Sequence, residues 1–310
     1  MEIALIHNGY NGFFSDCFRI LESYMECKEL NITSNDWFFG HTLGWNDYFT
    51  TFSNTIPTTR LAKDDDSNKK HTVADYKKAI GEIFVYQPYI LKMVEDRVKE
   101  LDLNDYVAVF IRRGDKLLGE SALIPTQFYV MRALAMNPST IFVQTDDYRA
   151  FEEFQDLVHQ TNPEIRVITT CPSNKFGMFF VPLDMNQCRC QQFMIDGKQV
   201  VVDTNIQYLK TNTPQKALYD YTKPEIREHV EEMLVGILIC QRASYVAMDH
   251  MSNVARYIAF SHPRGKDAIL AIEDMNICLS PTNRLIPRYD YDDSKYIRNP
   301  RYHSIYNEYI

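Results

Sequence analysis

Residues 107–111, Val-Ala-Val-Phe-Ile, are the stretch that most narrows what this chain can fold into. An unbroken apolar run with a β-branched bias predicts a buried strand. The run stops abruptly at Arg112 and Arg113, passes through Gly114, Asp115 and Lys116, and reaches Glu120. A buried strand that ends in two guanidiniums, an ammonium and two carboxylates needs a reason for them.

The segments around it alternate between strand and helix, the pattern of an α/β fold. Glu2–Ile6 reads as a first strand, followed by a glycine-containing turn and a helix over Phe18–Met25. Leu91, Val94, Val98 and Leu101 have helical spacing and lead into the strand at 107. Thr140–Gln144 and Ile165–Thr169 read as further strands, with a helix between them running through Val158. Glu231–Ile239 reads as a buried helix, Ala243–Met248 as a strand and Asn253–Phe260 as a helix. Residues 59–75 form a polar loop, and no internal repeat is visible.

Composition excludes several classes of function. At 45% hydrophobic and 24% charged the chain is globular rather than disordered or fibrous. A net charge of −8 argues against nucleic acid as a partner, because phosphate backbones call for a basic surface. No stretch has the length of a membrane span, and Met1–Gly12 lacks the cationic start of a leader. The seven cysteines have no framework spacing and read as reduced thiols. Cys188 and Cys190 with Cys171 are a zinc alternative, and Asp290-Tyr291-Asp292 is a DxD alternative for a divalent ion; the expectation is no metal.

The charges gather at strand ends: IRRGDK after the first of these strands, QTDDYR after the second, MDHMSN after the third. Open α/β sheets place their ligands at carboxyl ends of strands. The planar fork of Arg112 suits phosphate oxygens, and Lys116 adds a point charge. Ser252 and the helix amides from Asn253 offer an anion site. The set describes a diphosphate pocket. The alternative is an ion-pair network of Arg113 with Asp115 and Asp146.

On these residues the chain resembles the α-1,6-fucosyltransferase family, which includes the core N-glycan enzyme of animals and the rhizobial nodulation fucosyltransferase. The family's strand ending in HVRR.DK…E is matched by Phe110–Lys116 and Glu120. Its ATDD is matched by Gln144–Asp147, and its SSQV.R by Met251–Arg256. Asp36-Trp37, Gly44-Trp45 and Phe49 resemble its W…GW…F segment, and Gly12–Cys17 its glycine-rich loop. Order and spacing hold over residues 10 to 260.

The resemblance implies a GT-B-like α/β protein with two Rossmann-like domains facing a cleft. Residues 1–104 would be the acceptor-side domain, 105–275 the nucleotide-sugar-binding domain, and 276–310 a tyrosine-rich tail packing back on the first. The activity implied is inverting, metal-independent glycosyl transfer, with fucose from GDP-fucose as first donor, onto a glycan hydroxyl. Arg112 would hold the β-phosphate, Lys116 would neutralise the leaving diphosphate, and Glu120 would be the general base. Arg113, Asp115, Asp146, Asp147, Ser252, Asn253 and Phe110 would line the donor site, and Trp37 and Trp45 the acceptor side. No cofactor is implied beyond the nucleotide-sugar substrate. The expected location is the cytoplasm, of a bacterium or of a virus-infected host.

Two positions depart from the family. Phe110 stands where the family has His, and Gly236 where it has Asp, the pair that helps read guanine. A UDP-linked or other sugar is therefore an alternative donor, and a degenerate nucleotide- or glycan-binding module an alternative to an enzyme. His250 beside Ser252, and the tyrosines at 289, 291, 296, 302, 306 and 309, read as structural.

Overall fold

The computed structural model describes residues 3–4, 12–27, 30–31, 44–51, 71–118, 123–177, 191–195, 198–202, 220–249, 252–272, 277–279 and 285–287. In chain order the main elements are β1 (Ile3–Ala4), α1 (Phe13–Cys27), β2 (Leu30–Asn31), α2 (Trp45–Tyr48), α3 (Val73–Ile83) and α4 (Pro88–Glu100). Then come β3 (Val107–Ile111), α5 (Thr126–Leu134), β4 (Thr140–Thr145), α6 (Tyr148–Thr161) and β5 (Arg166–Thr169). Two hairpin strands, β6 (Gln191–Ile195) and β7 (Lys198–Val202), precede α7 (Lys223–Arg242), β8 (Tyr245–Met248), α8 (Asn253–Ser261) and β9 (Ile269–Ala271).

Local chemistry sets these boundaries. Thr72 and Asp75 form a reciprocal capping box that starts α3, and Thr222 and Glu225 do the same for α7. Pro88 opens α4, where its missing amide costs nothing. The cap and Pro224 start α7 well before the expected Glu231, giving a helix of 20 residues. α1 begins at Phe13 rather than Phe18 because Phe13, Cys17, Ile20 and Leu21 share one buried helical face.

The expected α/β architecture is present. A five-stranded sheet runs in the order β5-β4-β3-β8-β9, every neighbouring pair parallel. Counted along the chain within the sheet, that order is three-two-one-four-five, so the winding reverses between β3 and β8. Alternation along the strands gives the sheet two buried faces. Val107, Val109 and Ile111 join Ile141, Val143 and Ala247 under α5 and α6. Ala108 and Phe110 join Phe142, Val246 and Met248 under α7 and α8.

The helices before residue 104 belong to that second core. α4 packs on α7, while α1 and α3 pack on α8. The Tyr86 and Tyr257 hydroxyls meet at 2.6 Å, and the Arg256 guanidinium lies 4.5 Å over the Phe18 ring. Among the described residues, no gap in packing falls at the expected boundary of 104. The tail tyrosines lie outside the described residues.

Candidate functional site

Four chain segments meet at the carboxyl end of the sheet, beside the point where its winding reverses. Gly114 (φ +64°) takes a left-handed conformation that most side chains disfavour. It turns the chain out of β3 into a 3-10 turn over Gly114–Leu118.

Arg112 is largely enclosed, its side chain 14% exposed. It pairs with Asp115 and Asp146 and donates from Nη1 to the Arg113 carbonyl at 2.9 Å. The other oxygen of Asp146 accepts the Arg113 amide at 2.7 Å, which ties the ends of β3 and β4 together. The ion-pair network anticipated from the sequence therefore exists, but it is built on Arg112.

Arg113 is not part of an open donor site. It is 1% exposed, and its Nη2 donates to the Ile124 carbonyl at 2.9 Å and to the Thr126 hydroxyl at 3.3 Å. Strand alternation explains the split. Arg112 continues the Phe110 side toward α7, and Arg113 continues the Ile111 side toward α5. Phe110, expected to line the donor site, is 4% exposed and packs in the core.

Asp147 is fully buried and caps α6, accepting the Arg149 amide at 3.1 Å and pairing with its guanidinium at 2.6 Å. Its work is internal. Ser252 caps α8, its hydroxyl accepting the Ala255 amide at 3.1 Å. Asn253 accepts from Arg256 at 3.0 Å, which fixes the start of the same helix. Asp249, at the end of β8, accepts the Tyr129 hydroxyl at 2.6 Å.

Trp45, expected on the acceptor side, is 1% exposed and packs against Phe49 and Phe84, with its Nε1 donating to Thr51. It belongs to the core. Glu120, Trp37, His250 and the side chain of Lys116 lie outside the described residues, as do Cys188, Cys190 and Asp290–Asp292. Among the described residues, no group of three His, Cys, Asp or Glu is arranged to hold a metal ion, and Cys17, Cys171 and Cys240 are buried free thiols. None of the described helices is long and apolar enough to cross a membrane.

Two groups at this end were not anticipated. The loop after β5 is pinned beside the end of β4: the Tyr148 amide donates to the Lys175 carbonyl at 2.8 Å, and the Gly177 amide to the Asp146 carbonyl at 2.9 Å. That places Lys175 Nζ 3.4 Å from His229 Nδ1 on α7. Burial, then Lys175 and Arg112, holds His229 well below the ordinary histidine range. Burial also lowers Lys175, against the opposing pull of Cys171 and Glu232 and with a smaller addition from Arg112. Burial pushes Glu232, one turn along α7, upward. Cys171, at the start of the same loop, is pushed up to about 12 by burial and stays a thiol. Lys175 follows a strand end, so the strand-end rule could have found it. His229 on a helix carried no such signal.

No family model and no curated protein matches the chain. Among solved structures it is similar to a crystal structure of the α-1,6-fucosyltransferase NodZ soaked with GDP-fucose, at 11% identity and a TM-score of 0.42. That likeness covers 84% of this chain and 92% of the other.

Proposed function

We propose that the chain is a glycosyltransferase that moves a sugar from a nucleoside diphosphate onto a glycan hydroxyl, with inversion and without a metal. One observation carries the reading: Arg112 stands at the carboxyl end of β3, where the winding of the parallel sheet reverses toward β8. Doubly wound sheets bind nucleotides in that crevice. Asp115 and Asp146 hold the guanidinium in place through its two Nη nitrogens.

The chemistry follows from those residue types. Breaking a glycosyl–phosphate bond leaves negative charge on the departing diphosphate and positive charge on the sugar. A preorganised guanidinium stabilises the former without reorganising during the step. A carboxylate near the acceptor takes the hydroxyl proton as the bond forms. Lys116 and Glu120 enter these roles from the sequence resemblance. GDP-fucose is the first donor, and a UDP-linked sugar the alternative.

The test is calorimetry with GDP and UDP, beside single-turnover transfer from GDP-fucose and UDP-linked sugars in excess EDTA. One nucleotide should bind and its sugar should be transferred. Arg112→Lys should lower the transfer rate by about 10²-fold or more, because an ammonium cannot reproduce a two-point phosphate contact. Binding without turnover from any donor would leave a nucleotide-binding module. Failure of both nucleotides to bind would overturn the reading.

A further inference from the structure

Lys175 and His229 meet at 3.4 Å without a carboxylate between them. They come from separate parts of the chain, the loop after β5 and the first half of α7. Arg112, at the end of β3, is near enough to disfavour a proton on both. The Arg112 charge is already matched by Asp115 and Asp146. Asp147 is taken up by Arg149, and Cys171 is a neutral thiol. On α7 only Glu232 and the more exposed Glu228 stand opposite, and burial disfavours the charge on Glu232. His229 Nε2 is sealed from water and has no hydrogen-bond partner among the described residues. His229 Nδ1 is engaged by Lys175, while its buried Nε2 leaves one polar group of the pair unused.

We propose that Lys175 and His229 form an anion-binding pair that closes on the diphosphate of a nucleotide donor, opposite Arg112. This rests on the donor reading above for the identity of the anion, and on the pair's own geometry for the site. Both sit at the sheet end where β3 and β8 diverge, and both are donors once protonated. Once protonated, the pair supplies the cationic charge that Asp115 and Asp146 already match at Arg112.

Binding is then coupled to a proton. In the free protein, burial disfavours the charge on both groups; a diphosphate bound against them reverses that preference, and the neutral base takes one proton from solvent. Below the depressed free value the group is protonated with or without ligand, and above the bound value it is neutral in both. Affinity therefore rises with falling pH only between those two values. For His229 the window extends upward from well below 6.5, and for Lys175 it lies at higher pH, toward 10.5.

The test titrates inorganic diphosphate, GDP and UDP calorimetrically into the whole chain, in two buffers of different ionisation heat. Wild type is compared with Lys175→Met, Lys175→Arg and His229→Gln, each checked for folding by its melt. The probe's own protonation is common to all and cancels in the comparison. Wild type should take up protons on binding. Lys175→Met should weaken diphosphate binding by about 10-fold or more. Lys175→Arg, which keeps its charge at all pH, should keep the affinity and lose its share of the uptake. His229→Gln should reduce the uptake further. If diphosphate failed to bind, or bound to Lys175→Met and His229→Gln as it does to wild type, the pair would be wrong. If the nucleotides bound and sugar were transferred regardless of both substitutions, the donor reading would survive without the pair. If diphosphate bound through the pair but no nucleotide bound, the pair would stand and the donor reading would fall.

Discussion

Adjacent arginines at a strand end have opposite duties because successive side chains leave a strand on opposite faces. Arg113 is a buried peg that satisfies the Ile124 carbonyl and the Thr126 hydroxyl, which in turn donates to Glu153 at 2.6 Å. Removing its guanidinium strands those acceptors, so Arg113→Met should lower folding stability by about 2–4 kcal/mol. Denaturant unfolding measures that, and Arg112→Lys, which keeps a charge for Asp115 and Asp146, should cost clearly less stability while transfer collapses. Equal stability losses for both variants would contradict the split. The sequence put the charges at the right strand end, since an apolar run followed by Arg-Arg-Gly-Asp-Lys shows where the strand stops. It could not say which arginine was inside, because parity is counted from a boundary that sequence places only roughly. Trp45 and Phe110 were misread for a related reason: an aromatic has the same letter whether it lines a cleft or fills a core. Gly236 was legible only as a missing side chain. In the structure a Cβ there would run into the Gln144 carboxamide, which occupies the place.

At the scale of elements, four of the sheet's five strands were legible within a residue or two, because buried strands are unbroken apolar runs; the three-residue edge strand β9 was not. Helix starts were less so. The early start of α7 rests on a Thr–Glu capping box and a proline in polar surroundings, where hydrophobic spacing gives no signal. Ser252 caps an element, and the donor reading gives it a phosphate contact as well. As N-cap of α8 it satisfies the Ala255 amide, so Ser252→Ala should cost about 1 kcal/mol. Ser252→Asp should restore the cap, since aspartate caps as well as serine. It also places a carboxylate where the proposed diphosphate would sit. Thermal melts of the two variants, beside their affinity for GDP and UDP, separate the roles. With a phosphate contact, the Asp variant melts like wild type and binds the nucleotide at least about 10-fold more weakly. Unchanged nucleotide affinity in the Asp variant would make Ser252 a cap alone.

At the scale of the whole molecule, the division expected at residue 104 meets a core that continues across it. Phe14 packs 4.8 Å from Tyr257, Phe84 lies 5.1 Å from the same ring, and Tyr76 stacks on Phe260 at 5.0 Å. Each of these contacts joins a helix end or helix before residue 104 to α8. The Tyr106 hydroxyl, just past the expected boundary, donates to the Ile239 carbonyl of α7 at 2.7 Å. A fragment of residues 105–310 would leave the outer faces of α7 and α8 bare, an apolar surface larger than soluble monomers usually carry. The α/β alternation hid this, because periodicity predicts elements and not which of them share a core. Shared packing should make the described core unfold as one unit. Calorimetry of the whole chain should show a single transition spanning it, and the 105–310 fragment should aggregate or melt without cooperativity. Two resolved transitions, together with a soluble fragment that melts cooperatively alone, would show that the sheet folds without α1, α3 and α4. In that case the helices before residue 104 would be a separable domain docked on it. With one transition, substitutions at Phe14 or Tyr76 should lower the midpoint of the whole core. They should then weaken nucleotide binding only through the unfolded fraction, and added nucleotide would raise their melts as much as it raises wild type.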